Sequence, residues 1–599
     1  MRGTLPRVQG RPPLRFRSER SDHQNLMKRV AIIGAGQSGC QLGLGLLKAG
    51  LDVTMYSDRS ADEISYGRVL SSQCMFDSAL EIERNLELNY WEEECPKVQG
   101  IGLALPNGIG GKAIDWVAPL DNFAQSVDQR LKIPRWMQEF QKRGGELHIK
   151  PASLDDLTEI TRSQDLVIVA SGKGALGHLF ERDSERSPFS QPQRTTALTY
   201  VKGMLPREPY SAVSFSIVPN VGEYFVFPAL TTSRPCDIMV FEGVPGGPWD
   251  CWSDVKTSAE HLARCKDILA KYLPWETDRC HDIELTDENG VLTGCVVPTV
   301  RKPVAWAAGI PVLGMADAVV LNDPLTVQGS NNAARCAEIY LESILELGTG
   351  RPDAEWMQQT FDRYWNGYAK WVVEWTNLLL RPPAHVIKLL DCAGKISAVA
   401  SAFANGFDDP RTLFPWFINS GEADAFVQQQ AKLVAERLDR RDFRRALGQF
   451  ATGVTVVTAN TSDGRRIGVT VNSFSSVSLD PPLILWSLSR QAESFFDFTN
   501  VTHFAVNVLE AKQHHLSRQF STRLADKFAG VEFIEGKAGV PLLKGVIAQF
   551  VCRKVRLYDG GDHVIFVGEV EEYKYEDGEP LVFHSGRYRV ATRHPDIAE

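Results

Sequence analysis

The chain has 599 residues, 43% of them apolar and 23% charged, a net charge of −9 and eleven cysteines with no C-x-x-C pair. That length exceeds one hydrophobic core and predicts roughly two to four domains, while the negative charge argues against a nucleic-acid partner. No apolar run approaches the ~18 residues of a membrane span or resembles a signal-peptide core, and the scattered cysteines read as reduced thiols of a cytoplasmic protein, neither a disulfide framework nor a metal site.

Residues 1–27 are arginine-rich and broken by Pro and Gly, which predicts a disordered extension. The stretch after them organises the rest. Val30 to Ile33 is a short apolar run that suits a strand buried on both faces. Gly34, Gly36 and Gly39 follow at G-x-G-x-x-G spacing, and Leu42, Leu46 and Leu47 continue at helical spacing to Gly50. Gly34 would make the tight turn, Gly36 would let backbone approach a pyrophosphate, and Gly39 would let helix lie on strand. A second strand, Val53 to Ser57, ends at Asp58, where an acid can bond a ribose hydroxyl.

Further along, Asp77 to Leu88 and Asp128 to Arg143 read as helices, and Gly102 to Trp116 as a hairpin of a second sheet. Leu166 to Ala170 is another buried strand. The glycines after it, Gly172, Gly174 and Gly177, repeat the first spacing formally. No long helix or ribose acid follows, so this strand is expected to return to the first sheet with its turn near the same nucleotide. Strands at Ala212 to Val218, Glu223 to Phe227 and Ile238 to Glu242 precede a helix from Ser258 to Tyr272, an inserted sheet-plus-helix unit. Pro311 to Gly314 then begins a last strand of the first sheet. Asp317, Asp323-Pro324, Gln328-Gly329 and Asn331 lead into a helix, a pattern able to hold a ribityl chain and pyrophosphate.

These features resemble the FAD-dependent oxygenases that include the styrene and indole monooxygenases, over residues 28 to about 420. The carrying residues are Gly34, Gly36 and Gly39, Arg68 to Ser72, the run from Val167, and Gly314 to Asp317 through Asn331. The resemblance implies cofactor contacts from Gly34, Gly36, Gly39, Asp58, Arg68, Asp317, Pro324, Gln328, Gly329 and Asn331. Ala316 stands where the wider flavin-hydroxylase pattern has Gly before the Asp. Ser71, Gln73, Met75, Val98, Ile101 and Ala124 are similar to the indole-preferring branch, and with Val69 and Leu70 they are expected to line the substrate pocket.

After Glu422 to Phe450, a charge-laced helical stretch, the chain becomes strand after strand. Phe450 to Thr458, Thr470 to Ser476, Gly561-Asp562-His563 and Phe583 to Tyr588 resemble the short-chain flavin reductases with the FMN-binding split-barrel fold. The resemblance places flavin or NADH contacts at Thr470, Asn472, Ser473, Ser475, Ser476, His563 and Tyr588. It implies an α/β FAD-binding Rossmann-type domain with an inserted mixed-sheet substrate domain, followed by an all-β split barrel. Expected boundaries are nucleotide segments 28–70, 150–180 and 300–347, substrate segments 71–149 and 181–299, C-terminal helices 348–420, a linker 421–437, and a reductase 438–599. The implied activity is NADH reduction of FAD in the tail. In the head, O2 captured as a flavin C4a-(hydro)peroxide epoxidises the C=C bond of indole or styrene, and the tail is the expected site of a homodimer. A reductase-fused aromatic hydroxylase or sulfoxidase, or a non-oxygenating flavin redox module, are the alternatives.

Overall fold

The computed structural model describes residues 28–172, 175–348, 350–436, 440–522 and 526–591. The amino-terminal extension and Lys173-Gly174 lie outside them. The chain divides into two compact units, residues 1–435 and 436–599.

In the first unit, the head, β1 (Arg29–Ile33) leads through α1 (Gln37–Lys48) to β2 (Asp52–Ser57). β1 and β2 are parallel, with Val30 opposite Val53 and Ile32 opposite Met55. Leu166–Val169 pairs parallel on the other side of β1, Ile310–Gly314 beyond it, and Glu146–Ile149 outside β2. Val304–Ala307 closes the edge antiparallel. Val30, Ala31, Ile32, Ile168 and Val169 are fully buried, which is why these strands read as apolar runs without alternation. α1 buries Leu42, Leu44 and Leu46 completely, each worth about 1.5–3 kcal/mol. Its small face sets the approach: a Cβ on Gly43 would lie 2.8 Å from Met55 Cε and 3.0 Å from the Phe140 ring.

An eight-stranded sheet forms the second layer. The hairpin Lys97–Pro106 and Lys112–Gln125 joins it through a parallel pairing with Ala212–Val218, and the antiparallel run continues through Gly222–Leu230, Pro235–Gly243 and Thr195–Lys202. Side chains alternate between two cores, as strand geometry requires. Leu103, Trp116, Phe215 and Phe225 pack with the helices Lys370–Leu380, Ala384–Ala393 and Ser397–Asn405. Tyr224, Val226, Met239 and Phe241 pack beneath Ser258–Tyr272.

The structure moves one expected boundary. The helices Asp77–Asn85 and Gln129–Lys142 pack into the core of the first sheet through Leu80, Ile82, Ile133, Trp136 and Phe140, and Glu146–Ile149 is a strand of that sheet. Only about 97–125 of the expected 71–149 segment belongs to the second sheet. Helical periodicity marks which face of a helix is apolar but not which sheet covers it.

In the second unit, the tail, seven antiparallel strands run in the order Arg466–Val471, Thr455–Asn460, His503–Val508, Ala548–Gly560, His563–Tyr575, Pro482–Ser489 and Ser475–Leu479. Trp486 is fully buried at their centre and stacks on Phe566 at 4.4 Å. Of the helical stretch expected there, Ser420–Glu436 and Arg440–Leu447 are helical, and residues 437–439 lie outside the described set.

Candidate functional site

The carboxyl ends of β1, Leu166–Val169 and Ile310–Gly314 open on one edge of the parallel sheet, and three loops meet there. Gly34 has φ +118°, and a Cβ on it would sit 3.0 Å from the Ala170 carbonyl carbon and Ser171 N. A Cβ on Gly39 would lie 1.9 Å from the Gly34 carbonyl oxygen, so helix touches turn as backbone on backbone. Gly36 is the opposite case: it is exposed, and its missing Cβ faces nothing within 4 Å. Among the described residues no side chain caps α1 at Gly36, so no side chain competes for its first N–H groups. Asp58 stands exposed at the end of β2, 3.6 Å from the Arg59 guanidinium.

The turn after Leu166–Val169 becomes a single 3₁₀ turn, Ala175–His178, as its flanking sequence implied. Gly172 abuts the third loop, where a Cβ would meet Asp317 Cβ at 2.9 Å. In that loop Ala316 has φ +49°, a left-handed conformation, which explains why the wider family pattern places Gly there. Asp323 accepts from Leu325 N at 3.2 Å and caps the 3₁₀ turn Pro324–Thr326, and the helix Gly329–Leu347 follows without a side-chain cap among the described residues. Gly329 is exposed and open, like Gly36. Two expected cofactor side chains are engaged elsewhere. Gln328 donates to Phe407 O at 2.9 Å and accepts from Tyr368 OH at 3.1 Å. Asn331 accepts from Phe76 N at 2.9 Å and donates to Cys74 O at 2.9 Å and Val327 O at 3.1 Å. Only their backbone remains for a ligand.

The expected pocket residues separate. Val69, Val98, Ile101 and Ala124 share one buried core, with Val98 directly opposite Ala124. Met75 and Leu70 belong to the core of the first sheet, so an apolar wall containing all of them is not what the fold builds. Met75 Sδ instead accepts from Lys132 Nζ at 3.2 Å and lies 3.7 Å from Gln37 Nε2. Lys132 and Glu83 form a buried ion pair at 2.7 Å, and Gln37, inside the glycine motif, donates to the same carboxylate oxygen at 3.1 Å. Ser71 donates to Gln73 Oε1 at 3.0 Å, Gln73 donates to Val127 O at 2.7 Å, and Tyr200 OH donates to Ser71 O at 2.9 Å. Arg68 is exposed, and the segment it begins is held where Val69 N donates to Asn289 O at 3.0 Å.

A cavity of about 310 Å³ lies elsewhere. It opens on the other face of the second sheet, over Gly102, Ala104, Ser214 and Ser216 and beside the Arg207–Glu276 pair. None of the expected site residues lines it.

In the tail, Thr470 and Tyr588 converge on the helix His514–Ser521. Thr470 donates to Ser517 O at 2.7 Å, and Tyr588 OH shares a hydrogen bond with Ser517 Oγ at 2.9 Å. Ser473 Oγ bonds both N and O of Ser487, at 2.9 and 3.2 Å, and is thus a strand clip. Asn472, Ser475 and Ser476 are exposed. His563 is 45% exposed in its side chain, at the start of the strand His563–Tyr575, with Nδ1 2.8 Å from Asp562. Sequence reasoning missed Ser517, Lys132, Glu83 and Arg194. An isolated Ser or Lys on a helix carries no pattern that separates a buried partner from a solvated one.

Comparisons with known proteins agree with this division. Residues 172–279 match the "Styrene monooxygenase A putative substrate binding domain" family, and residues 447–592 the "Flavin reductase like domain". Over 425 residues, 68% of this chain and 100% of the relative, the chain is 29% identical to styrene monooxygenase StyA of Pseudomonas fluorescens. Over 148 residues, 25% of this chain and 84% of the relative, it is 49% identical to the FMN reductase (NADH) SmoA of Agrobacterium fabrum. The solved NADH:FAD oxidoreductase SgcE6 of Streptomyces globisporus, in complex with NAD and FAD fragments, aligns over 27% of this chain and 96% of its own at 42% identity and a TM-score of 0.25.

The molecule is thus a two-component flavin monooxygenase whose components are one polypeptide. The chain belongs to the styrene monooxygenase family, in a fused form that carries a split-barrel flavin reductase as its C-terminal domain. Among the described residues no helix is long and apolar enough to cross a membrane.

Proposed function

We propose that the tail reduces FAD with NADH and that the head uses reduced FAD and O2 to epoxidise the C=C bond of an indole- or styrene-type substrate. The observation that carries this reading is the open glycine edge of the head, Gly34, Gly36 and Gly39 with Gly329, in one chain with a reductase. That edge fits FAD, because the uncapped helix and the missing Cβ of Gly36 leave room and N–H donors for a pyrophosphate. Asp58 would bond the adenosine ribose, Asp317 the ribityl chain, and the Pro324 turn with Gly329 N–H would border the flavin ring. Bound and reduced, FAD supplies the oxygen activation. The chain's own part is orientation and dryness. Val69, Val98 and Ile101 form an apolar wall that excludes water, and Ser71 and Gln73, fixed by Tyr200, orient the aromatic ring. Ser71, Gln73, Met75, Val98, Ile101 and Ala124 support indole over styrene.

In the tail, His563 and the Thr470–Ser517–Tyr588 group would contact flavin and nicotinamide. Leu479, 95% exposed, and Tyr573 and Tyr575 offer the surface for a homodimer through the reductase domain. The test is the full chain with NADH, catalytic FAD, air and one of indole, styrene or thioanisole. O2-dependent indigo-type pigment or epoxide, tied to NADH consumption, is the expected result. Product from thioanisole alone would make it a sulfoxidase. NADH oxidation that yields only peroxide would make it a redox module.

A further inference from the structure

Three carboxylates and one guanidinium meet in the head where the second sheet faces the turn Pro324–Thr326. Arg194 is committed: Nε and Nη2 donate to Glu223 at 2.6 and 2.8 Å, and its remaining hydrogen bonds go to the carbonyls of Gln193 and Leu380. Glu242 lies directly across the strand pair from Glu223 and is completely buried. Asp323 is 2% exposed, and its carboxyl is within hydrogen-bonding reach of Glu242. Both oxygens of Glu242 and Oδ2 of Asp323 have no donor among the described residues. Two adjacent buried carboxylates are costly to keep both ionised, because the desolvation and repulsion costs add.

We infer that Glu242 and Asp323 hold one proton between them, and that this shared proton fixes the turn at Pro324 on which the head positions its flavin. The placement of the flavin rests on the reading proposed above. With the proton in place, Glu242 donates to Asp323 Oδ2. Asp323 Oδ1 is then held on Leu325 N, and the turn keeps Val327 at φ +57° just before the open helix at Gly329. Loss of the proton sets two buried anions against each other on either side of that turn. Burial first, then the charges of Asp323 and Glu223, push Glu242 well above the ordinary carboxylate range, and Asp323 is likewise raised by burial. Both are positioning residues: neither is argued to touch substrate.

Two measurements on the full-length chain test this. The first needs no flavin: infrared difference spectra of wild type against Glu242→Gln at about pH 7, below the range in which the shared proton is lost. The carbonyl stretch of a buried un-ionised carboxylic acid, shifted in D2O, should be present in wild type and lost in the variant. Its absence from wild type would overturn the shared proton. The second is FAD affinity of the same two proteins from about pH 7 to about pH 9. The tail is identical in both, so any difference belongs to the head. Wild type should weaken at least about threefold, against a ceiling of about tenfold per pH unit for one proton. Glu242→Gln, which donates permanently, should hold its affinity. Asp323→Asn, which can still cap Leu325, guards against a folding defect in one variant and should flatten the profile too. Parallel profiles for wild type and Glu242→Gln would overturn the positioning role even where the infrared band is seen. Failure of the FAD reading shows separately, as Gly36→Ala leaving the affinity of the chain unchanged.

Discussion

Alanine at Gly36 and at Gly39 should have opposite consequences, although the two glycines stand three residues apart in one motif. At Gly39 the new methyl would lie 1.9 Å from the Gly34 carbonyl oxygen, and the contact must open by about 1.1 Å to reach the 3.0 Å below which Cβ atoms essentially never pack. The obstacle is backbone, so no rotamer relieves it, and α1 must lift from β1. Overpacking costs about 1–3 kcal/mol where side chains can yield, and the upper end applies here. At Gly36 a methyl meets nothing within 4 Å, and the backbone, φ −83° and ψ −168°, suits any residue. Stability should therefore change by no more than about 0.5 kcal/mol. The methyl would nonetheless occupy the cradle and weaken FAD at least about tenfold, roughly 1.4 kcal/mol. Calorimetry of the full chain reads the first effect. Oxygenated product per NADH oxidised reads the second, because the tail stays intact. Gly36→Ala that melts early, or that forms product like wild type, would refute the division of roles.

Three further outcomes follow from the structure. Lys132→Met strands the buried Glu83 carboxylate and should cost about 3–5 kcal/mol, whereas Lys132→Met with Glu83→Gln should recover most of it; equal melting of single and double variants would count against the pair. His261 is 2% exposed, its Nε2 has no partner among the described residues, and burial holds its imidazole at about 4 against the ordinary 6.5. Its contribution is full above pH 6.5 and declines as pH falls toward 4, by up to about 3 kcal/mol, so His261→Phe should flatten the acid limb of the stability curve. Cutting the chain near residue 430, close to the division between its compact units, should leave NADH oxidation and head oxygenation intact while lowering product per NADH. Equal coupling in the severed pair would remove the rationale for fusion.

What the sequence revealed followed the strength of its local signals. Gly34 in its positive-φ turn and Gly39 against backbone match what their spacing implied, because a missing Cβ is a constraint written into one residue. The strands of both sheets were legible where burial is two-sided or alternation strict. Long-range charge was not. Lys132 sits on a helix whose pattern reads as an ordinary amphipathic face, and only tertiary packing brings Glu83 from 49 residues away. Arg194, Glu223, Glu242 and Asp323 come from four separate segments, and none carries a pattern alone. Met75 was expected in the wall through resemblance to the indole-preferring branch, but residues 69–76 alternate between the two cores, Val69, Cys74 and Phe76 in one and Leu70 and Met75 in the other.

Asn331 bears on how new specificities can arise. Its amide ties the main chain of Cys74 and Phe76 to the start of the helix Gly329–Leu347 and to Val327. The segment around Cys74 and Phe76 and the helix entrance therefore keep a common register, and inserting or deleting residues in either would pull the other out of place. If Val69, Ser71, Gln73, Val98 and Ile101 line the substrate pocket as proposed, diversification of this oxygenase is channelled into exchanging those individual side chains rather than into grafted loops.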